Sequence, residues 1–196
     1  VALDAPPAQF YLVNTSDYKS FMKNLLSGEK VSLDGYLPWL KNTGIPASRD
    51  GKLKIRNTHR NEIGNQFELI YNSESLAVGV GCERGTSINE LISLVQTTLE
   101  NNNLSKASVA VFVSIEQKMD EIAINAIADF FNKPLRFFDS VTLEEETPRL
   151  KNPSEIVFRE VGSHGVAEAS ALAAVGPLGE LIVCLLYTSP SPRDLA

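Results

Sequence analysis

An α/β fold, a three-layer sandwich with a mostly parallel or mixed sheet preceded by a smaller partial α/β unit, is predicted by three features of this 196-residue chain. Short apolar runs without polar alternation, such as Val109-Ala-Val-Phe-Val113, suit strands covered on both faces. Between them lie segments with apolar residues at helical spacing and capping residues at their starts. The two patterns alternate along the chain, as they do where helices are laid over a sheet.

Taken in order, residues 10–13 form an apolar strand, and Tyr18, Phe21, Met22 and Leu25 recur at helical spacing until Gly28 stops the helix. From 34 to 65 the periodicity fails among turn formers (Asp34-Gly35, Pro38, Gly44, Pro46, Asp50-Gly51, Gly64), which predicts a loop-rich connection with a short hairpin around Gly51. Residues 67–71 close this unit as a strand, and 72–75 form a polar joint. The second unit opens with a strand at 76–80. A helix follows, its face marked by Ile88, Leu91, Ile92, Val95 and Leu99 and its start by the Ser87/Glu90 capping box. After the strand at 109–113, Asp120 is expected to cap a helix with Ile124, Ile127, Ala128 and Phe131 on its apolar face, ended by Asn132 and Pro134. Then come a strand at 135–138, a short acidic turn of helix around Leu143, and a short helix begun by Asn152-Pro153 and ended by Gly162. An alanine-rich helix at 166–174 and a final strand at 181–183 complete it.

The domain boundaries predicted are 1–74 for the partial first unit, 75–183 for the second, and 184–196 for a non-native or disordered tail. The two Ser-Pro steps of that tail continue neither a strand nor a helix, and from Cys184 onward it looks like translated sequencing-adapter sequence.

Composition narrows the function classes. A formal charge of -6 without a clustered basic face argues against a nucleic-acid surface, and no apolar run is long enough for a membrane span. Cys82 and Cys184 are far apart with no Cys-x-x-Cys, so no metal site and no disulfide framework are expected, and a reducing cytoplasm is the default localisation.

Four constellations could carry chemistry. The first is the glycine loop Gly79-Val-Gly81-Cys82-Glu83-Arg84-Gly85-Thr86-Ser87, between a strand and a helix, where backbone N–H groups and the Arg84 guanidinium suit an anion. A purely packing role for its glycines is the alternative. Dinucleotide binding fits poorly, because the spacing is Gly-x-Gly-x-x-x-Gly and the acid after the next strand, Glu116, lies too far along. The second is Ser114-Ile-Glu116-Gln-Lys118-Met-Asp120-Glu121 at the carboxyl end of a strand, the edge where open α/β sheets bind ligands; a solvated loop with Asp120 only capping a helix is the alternative. The third is Asn152, Ser154 and Glu155 at a helix start. The fourth is His164 and Glu168, which share a helix face if the helix already includes His164; either could take a proton from water.

In series, GVGCERGTS, SIEQKMDE, LRFF, NPSEIVFREVG and HGVAEASALAA resemble the carboxyl-terminal domain shared by the CbiG and CobE proteins of cobalamin biosynthesis. The earlier stretch MKNLLSGEKVSLDGYLPWL resembles the end of the CbiG middle region. The resemblance implies hydrolysis of the δ-lactone of cobalt-precorrin-5A with release of acetaldehyde; the alternative is a non-catalytic corrinoid-binding or carrier module of the CobE kind. It implies a corrinoid substrate that itself carries the cobalt, no separate cofactor, and a fused or neighbouring precorrin methyltransferase as a partner. Its implied site has Glu168 and His164 as the catalytic groups. Gly79, Gly81, Cys82, Arg84, Gly85, Thr86, Ser114, Lys118, Asp120, Asn152, Ser154 and Glu155 would bind the substrate. The family's basic segment after the last strand is replaced here by Cys184-Leu-Leu-Tyr.

Overall fold

The computed structural model describes residues 3, 5–41 and 43–184; of the expected tail 184–196, all but Cys184 lies outside the described residues. Two compact units are formed, Val1–Leu76 with Ile92–Ala110, and Ala77–Leu91 with the chain from Val111.

The first unit holds a sheet in the order β1-β4-β3-β2, from β1 (Phe10–Leu12), β2 (Val31–Asp34), β3 (Leu53–Asn57) and β4 (Glu68–Ser73). β1 runs antiparallel to β4, whereas β2/β3 and β3/β4 are parallel pairs. Helix α1 (Tyr18–Leu26) sends Phe21 into a core of Phe10, Val31, Leu53, Ile55, Leu69 and Tyr71. The hairpin expected around Gly51 is therefore not formed. Gly51 instead lies flat against β2: a Cβ there would sit 2.4 Å from the Ser32 nitrogen and the Val31 carbonyl carbon. The chain thus passes close beside β2 and enters β3 alongside it, in the same direction. Asn14 supplies a second tie, its side chain donating to the Glu68 carbonyl at 2.9 Å and accepting from the Ile70 amide at 3.0 Å.

Residues Ile92–Ala110 group with this unit through polar contacts that the sequence does not announce. Ser105 Oγ donates to Asn72 Oδ1 at 2.7 Å, and Arg60 Nη1 donates to the Asn102 carbonyl at 2.7 Å. Asn72, read from the sequence as part of a polar joint, is a buried residue of β4 whose amide also donates to the Thr58 carbonyl at 2.7 Å.

The second unit is built on β5 (Leu76–Gly79), β6 (Val109–Ile115) and β7 (Leu135–Phe138), in the order β5-β6-β7 with β6 and β7 parallel. Helices α2 (Ile88–Asn101), α3 (Ile122–Phe131), α4 (Ser140–Glu145), α5 (Glu155–Val161) and α6 (Ala167–Val175) complete the chain. Successive strand residues point to opposite faces, so Phe112 and Ile115 of β6 look in opposite directions. Phe112 meets Phe131 of α3, ring centroids 5.2 Å apart, while Ile115 packs with Leu143 of α4 and Ala169 of α6. Helices thus cover both faces, and the layers are those expected.

Helix ends follow local chemistry with two shifts of register. Asn132 closes α3 in the left-handed conformation (φ 50°) and Gly162 closes α5 (φ 76°), each as expected. Glu121 rather than Asp120 occupies the cap position of α3, and the Asp120 carboxylate pairs with Arg84. Ser154 rather than Asn152 caps α5, its Oγ accepting from the Val157 amide. The expected strand at 181–183 is absent: the chain there is irregular, Ile182 is 46 % exposed, and the Leu181 carbonyl accepts from Lys151 Nζ at 2.9 Å. An apolar run becomes a strand only where a neighbouring edge pairs with it.

Candidate anion-binding rim

All the candidate residues fall in the second unit, and local chemistry brings most of them to the carboxyl ends of β5 and β6. Gly79 ends β5 against the start of α6, where a Cβ would stand 1.8 Å from the Ala167 carbonyl oxygen. That glycine is demanded by packing, and the packing carries the loop to the 163–168 segment. Two residues on, a Cβ at Gly81 would be in ordinary contact with Val166 at 3.4 Å. Ser114, buried in β6, donates from Oγ to the Val80 carbonyl at 2.7 Å and pins the loop's base to the neighbouring strand.

The tip of the loop is held by the segment after β6. Arg84 Nη1 donates to both oxygens of Asp120 at 3.0 and 2.9 Å, and Nη2 donates to the Gln117 carbonyl at 2.8 Å. The Gly85 amide, at a φ of 78°, donates to both oxygens of Glu121 at 3.3 Å each. Thr86 Oγ1 donates back to the Glu83 carbonyl at 2.8 Å. Burial pushes the Cys82 thiol above its ordinary value, opposed in part by Thr86 and Lys118 and aided by the charge of Glu121, which disfavours the thiolate.

The remaining candidates form a second cluster. Glu168 accepts from the Lys151 amide at 2.7 Å, from the Asn152 amide at 3.2 Å and from Asn152 Nδ2 at 2.7 Å. Burial raises its pKa, but these hydrogen bonds together outweigh burial and hold the carboxyl below its ordinary value. His164 lies ahead of α6, so the helix-face pairing with Glu168 is not formed. Its Nδ1 is 2.9 Å from Glu144 Oε1, its Nε2 is 3.3 Å from Glu155 Oε1, and its ring stacks on Phe158. The bond to Glu144, reinforced by Glu155, raises the imidazole above its ordinary value against a smaller effect of burial. The two clusters meet where Gln117 Nε2 donates to the Val161 carbonyl at 3.1 Å and where Gly81 faces Val166 across a gap that a methyl would fill.

Chemically, the arrangement suits binding better than proton transfer. A carboxylate held low by several donors is a weak base, and an imidazole whose two ring nitrogens face carboxylates is favoured in its charged form, which makes it a poor acceptor of a proton from water. Glu121, only 6 % exposed, and Gln117 belong to the 114–121 constellation but not to the residues expected to bind the substrate. Glu121 carried a signal only as the neighbour of a supposed cap. An open depression of about 320 Å³ lined by Arg149, Lys151, Leu172, Gly179, Glu180 and Leu181 contains none of the candidates. Arg149 there contacts Glu146 and the carbonyls of Gly176 and Gly179, and Lys151 contacts the Leu181 carbonyl. Among the described residues no cluster of three or more His, Cys, Asp or Glu side chains could hold a metal ion, and no helix is long and apolar enough to cross a membrane.

The His164 cluster makes a pH-dependent contribution to stability. Because the folded-state pKa lies above the unfolded one, that contribution is complete below the ordinary imidazole value and is lost as pH rises through the folded-state value. His164→Gln should therefore lower the melting temperature most below the ordinary imidazole value, with the gap to wild type narrowing as pH rises above it. A gap of constant size across that range would contradict the ionic reading.

Comparison with known proteins completes the description. A family model described as cobalamin synthesis G C-terminus matches residues 76–186, more than half of the chain. The chain is 40% identical over 121 residues to Protein CobE of Sinorhizobium sp, covering 62% of this chain and 79% of that protein. It is 31% identical over 139 residues to a cobalt-precorrin-5A hydrolase of Priestia megaterium, covering 68% of this chain but 36% of that much longer protein. Among solved structures it is similar to CobE, described as a protein from the cobalamin (vitamin B12) biosynthetic pathway, with 37% identity, a TM-score of 0.49, and coverage of 51% of this chain and 70% of that one. On the family match and the CobE similarity, this chain belongs to the cobalamin synthesis G carboxyl-terminal family.

Proposed function

We propose that this chain binds a corrin-ring intermediate of cobalamin biosynthesis, gripping the ring's carboxylate arms at the rim formed by the glycine loop and the segment after β6. The observation that carries the reading is the convergence of Arg84, Gly85, Lys118 and the 116–121 segment at the carboxyl ends of β5 and β6, where layered α/β domains take their ligands. Identity to CobE over most of that protein's length supports it. The cobalt arrives with the ligand, so no separate cofactor is invoked. In this reading Glu168 and His164 shape the loops beneath the ring and do not serve as the base.

A second reading, hydrolysis of the δ-lactone of cobalt-precorrin-5A with release of acetaldehyde, is favoured by the similarity to the Priestia megaterium hydrolase. The chain spans about a third of that protein. Absorbance titration with dicyanocobyrinic acid, a cobalt corrin with free carboxylate arms, tests binding, and an acetaldehyde assay with cobalt-precorrin-5A tests hydrolysis. Saturable binding without acetaldehyde is the expected result. Acetaldehyde released by this chain would establish the second reading, and the absence of any spectral change would remove the first.

A further inference from the structure

Asp120 has no structural task in the helix beside it. It precedes α3 without capping it, since Glu121 stands at that position, and its carboxylate turns to Arg84 instead. The pair lies in the open, the two side chains 59% and 72% exposed. Only one guanidinium nitrogen, Nη1, serves both carboxylate oxygens, so the contact is not the two-nitrogen fork that makes arginine–carboxylate pairs strong. The other terminal nitrogen, Nη2, is held by the Gln117 carbonyl, which orients Arg84 whether or not Asp120 is charged.

We infer that Asp120 is an internal competitor for the ligand, occupying the Arg84 donors that a ligand carboxylate takes and thereby tuning the rim toward ligands with several carboxylates. The inference rests on the reading that the rim binds carboxylate-bearing corrins. An exposed ion pair contributes little, so exchange of Asp120 for a ligand carboxylate is cheap at this point. A ligand with several carboxylates replaces the lost partner and gains contacts at neighbouring donors. A ligand whose arms are amides brings no charge to replace Asp120 and leaves Arg84 paired as before. The neighbouring acid behaves differently: Glu121 is buried and holds the Gly85 amide, so it fixes the loop while Asp120 is the exchangeable member.

The test is titration of wild type, Asp120→Asn and Asp120→Ser with two probes, dicyanocobyrinic acid, whose arms are free acids, and dicyanocobinamide, whose arms are amides. Loss of the competing charge should tighten binding of the acid by about threefold to tenfold, while binding of the amide probe changes by less than about twofold. The acid's gain should shrink as salt is added, because exposed charges are screened. Thermal melting of each variant verifies that it is folded, and the two substitutions serve as replicates of one charge removal. Unchanged or weaker binding of the acid would show that Asp120 positions Arg84 for the ligand and would overturn the inference while leaving the corrinoid reading intact. An equal gain with both probes would overturn it in the same way. If wild type and variants bind neither probe, the corrinoid reading falls, and this inference with it.

Discussion

Gly79→Ala should destabilise the second unit by about 3 kcal/mol or more, a fall of roughly 6–12 °C in melting temperature for a chain of this size. The added methyl would stand 1.8 Å from the Ala167 carbonyl oxygen, 2.7 Å from its carbon and 3.0 Å from Ser170 Oγ. Two of these three atoms are backbone at the first residue of α6, so relief requires the helix to move away from β5 and not merely a side chain to turn. That movement would also disturb the bond from Ser170 Oγ to the Val113 carbonyl. Gly85→Ala provides the contrast, since no atom lies within 4 Å of its added methyl and only the positive φ of 78° opposes it. Its cost should be about 1–2 kcal/mol, the penalty of a left-handed alanine. Calorimetry that finds Gly79→Ala as stable as wild type would mean that β5 and α6 do not approach as described.

The contrast between these glycines shows what the sequence can and cannot convey. The glycine loop is visible in the sequence, but which glycine is needed for close packing and which for a left-handed turn depends on what the fold brings opposite each one. The core of the second unit was legible because its strands and helices carry their own periodicity: Val109 to Ile115 reads as a covered strand, and Ile124, Ile127 and Ala128 as one helix face. In the first unit, Leu53 and Ile55 alternate with Lys54 as a half-buried strand should, yet Asp50-Gly51 reads more strongly as a hairpin turn. Nothing local says that Gly51 will be pressed against Val31 and Ser32, and so parallel pairing of β2 with β3 is invisible until the whole sheet is assembled. The short strand β2, Val-Ser-Leu-Asp, was lost for the same reason.

At the site, residue type picks out side chains that the fold brings near one another, but not the partners each of them meets. His164 and Glu168 were attractive as proton acceptors because of their chemistry and their spacing of four. Their actual partners, Glu144 for the one and the Lys151-Asn152 backbone for the other, come from segments 16 to 20 residues away in sequence. Asp120 read as a helix cap because the cap position differs by a single residue from the one observed, and its partner Arg84 lies 36 residues earlier.

Whether the rim of the second unit grips the carboxylate arms of a corrin through Arg84 is decided by titrating wild type and Arg84→Ala with dicyanocobyrinic acid. The guanidinium is exposed and contacts Asp120 and the Gln117 carbonyl, so its removal leaves no buried group without a partner and the melting temperature should move by less than about 2 °C. Hydrogen bonds to a charged group are among the stronger polar contacts a ligand can make, and losing this one should weaken binding by about tenfold to a hundredfold. Weaker binding by that factor in a protein that melts like wild type is the predicted result. Undiminished binding by a folded Arg84→Ala protein would contradict the claim and place the ligand elsewhere.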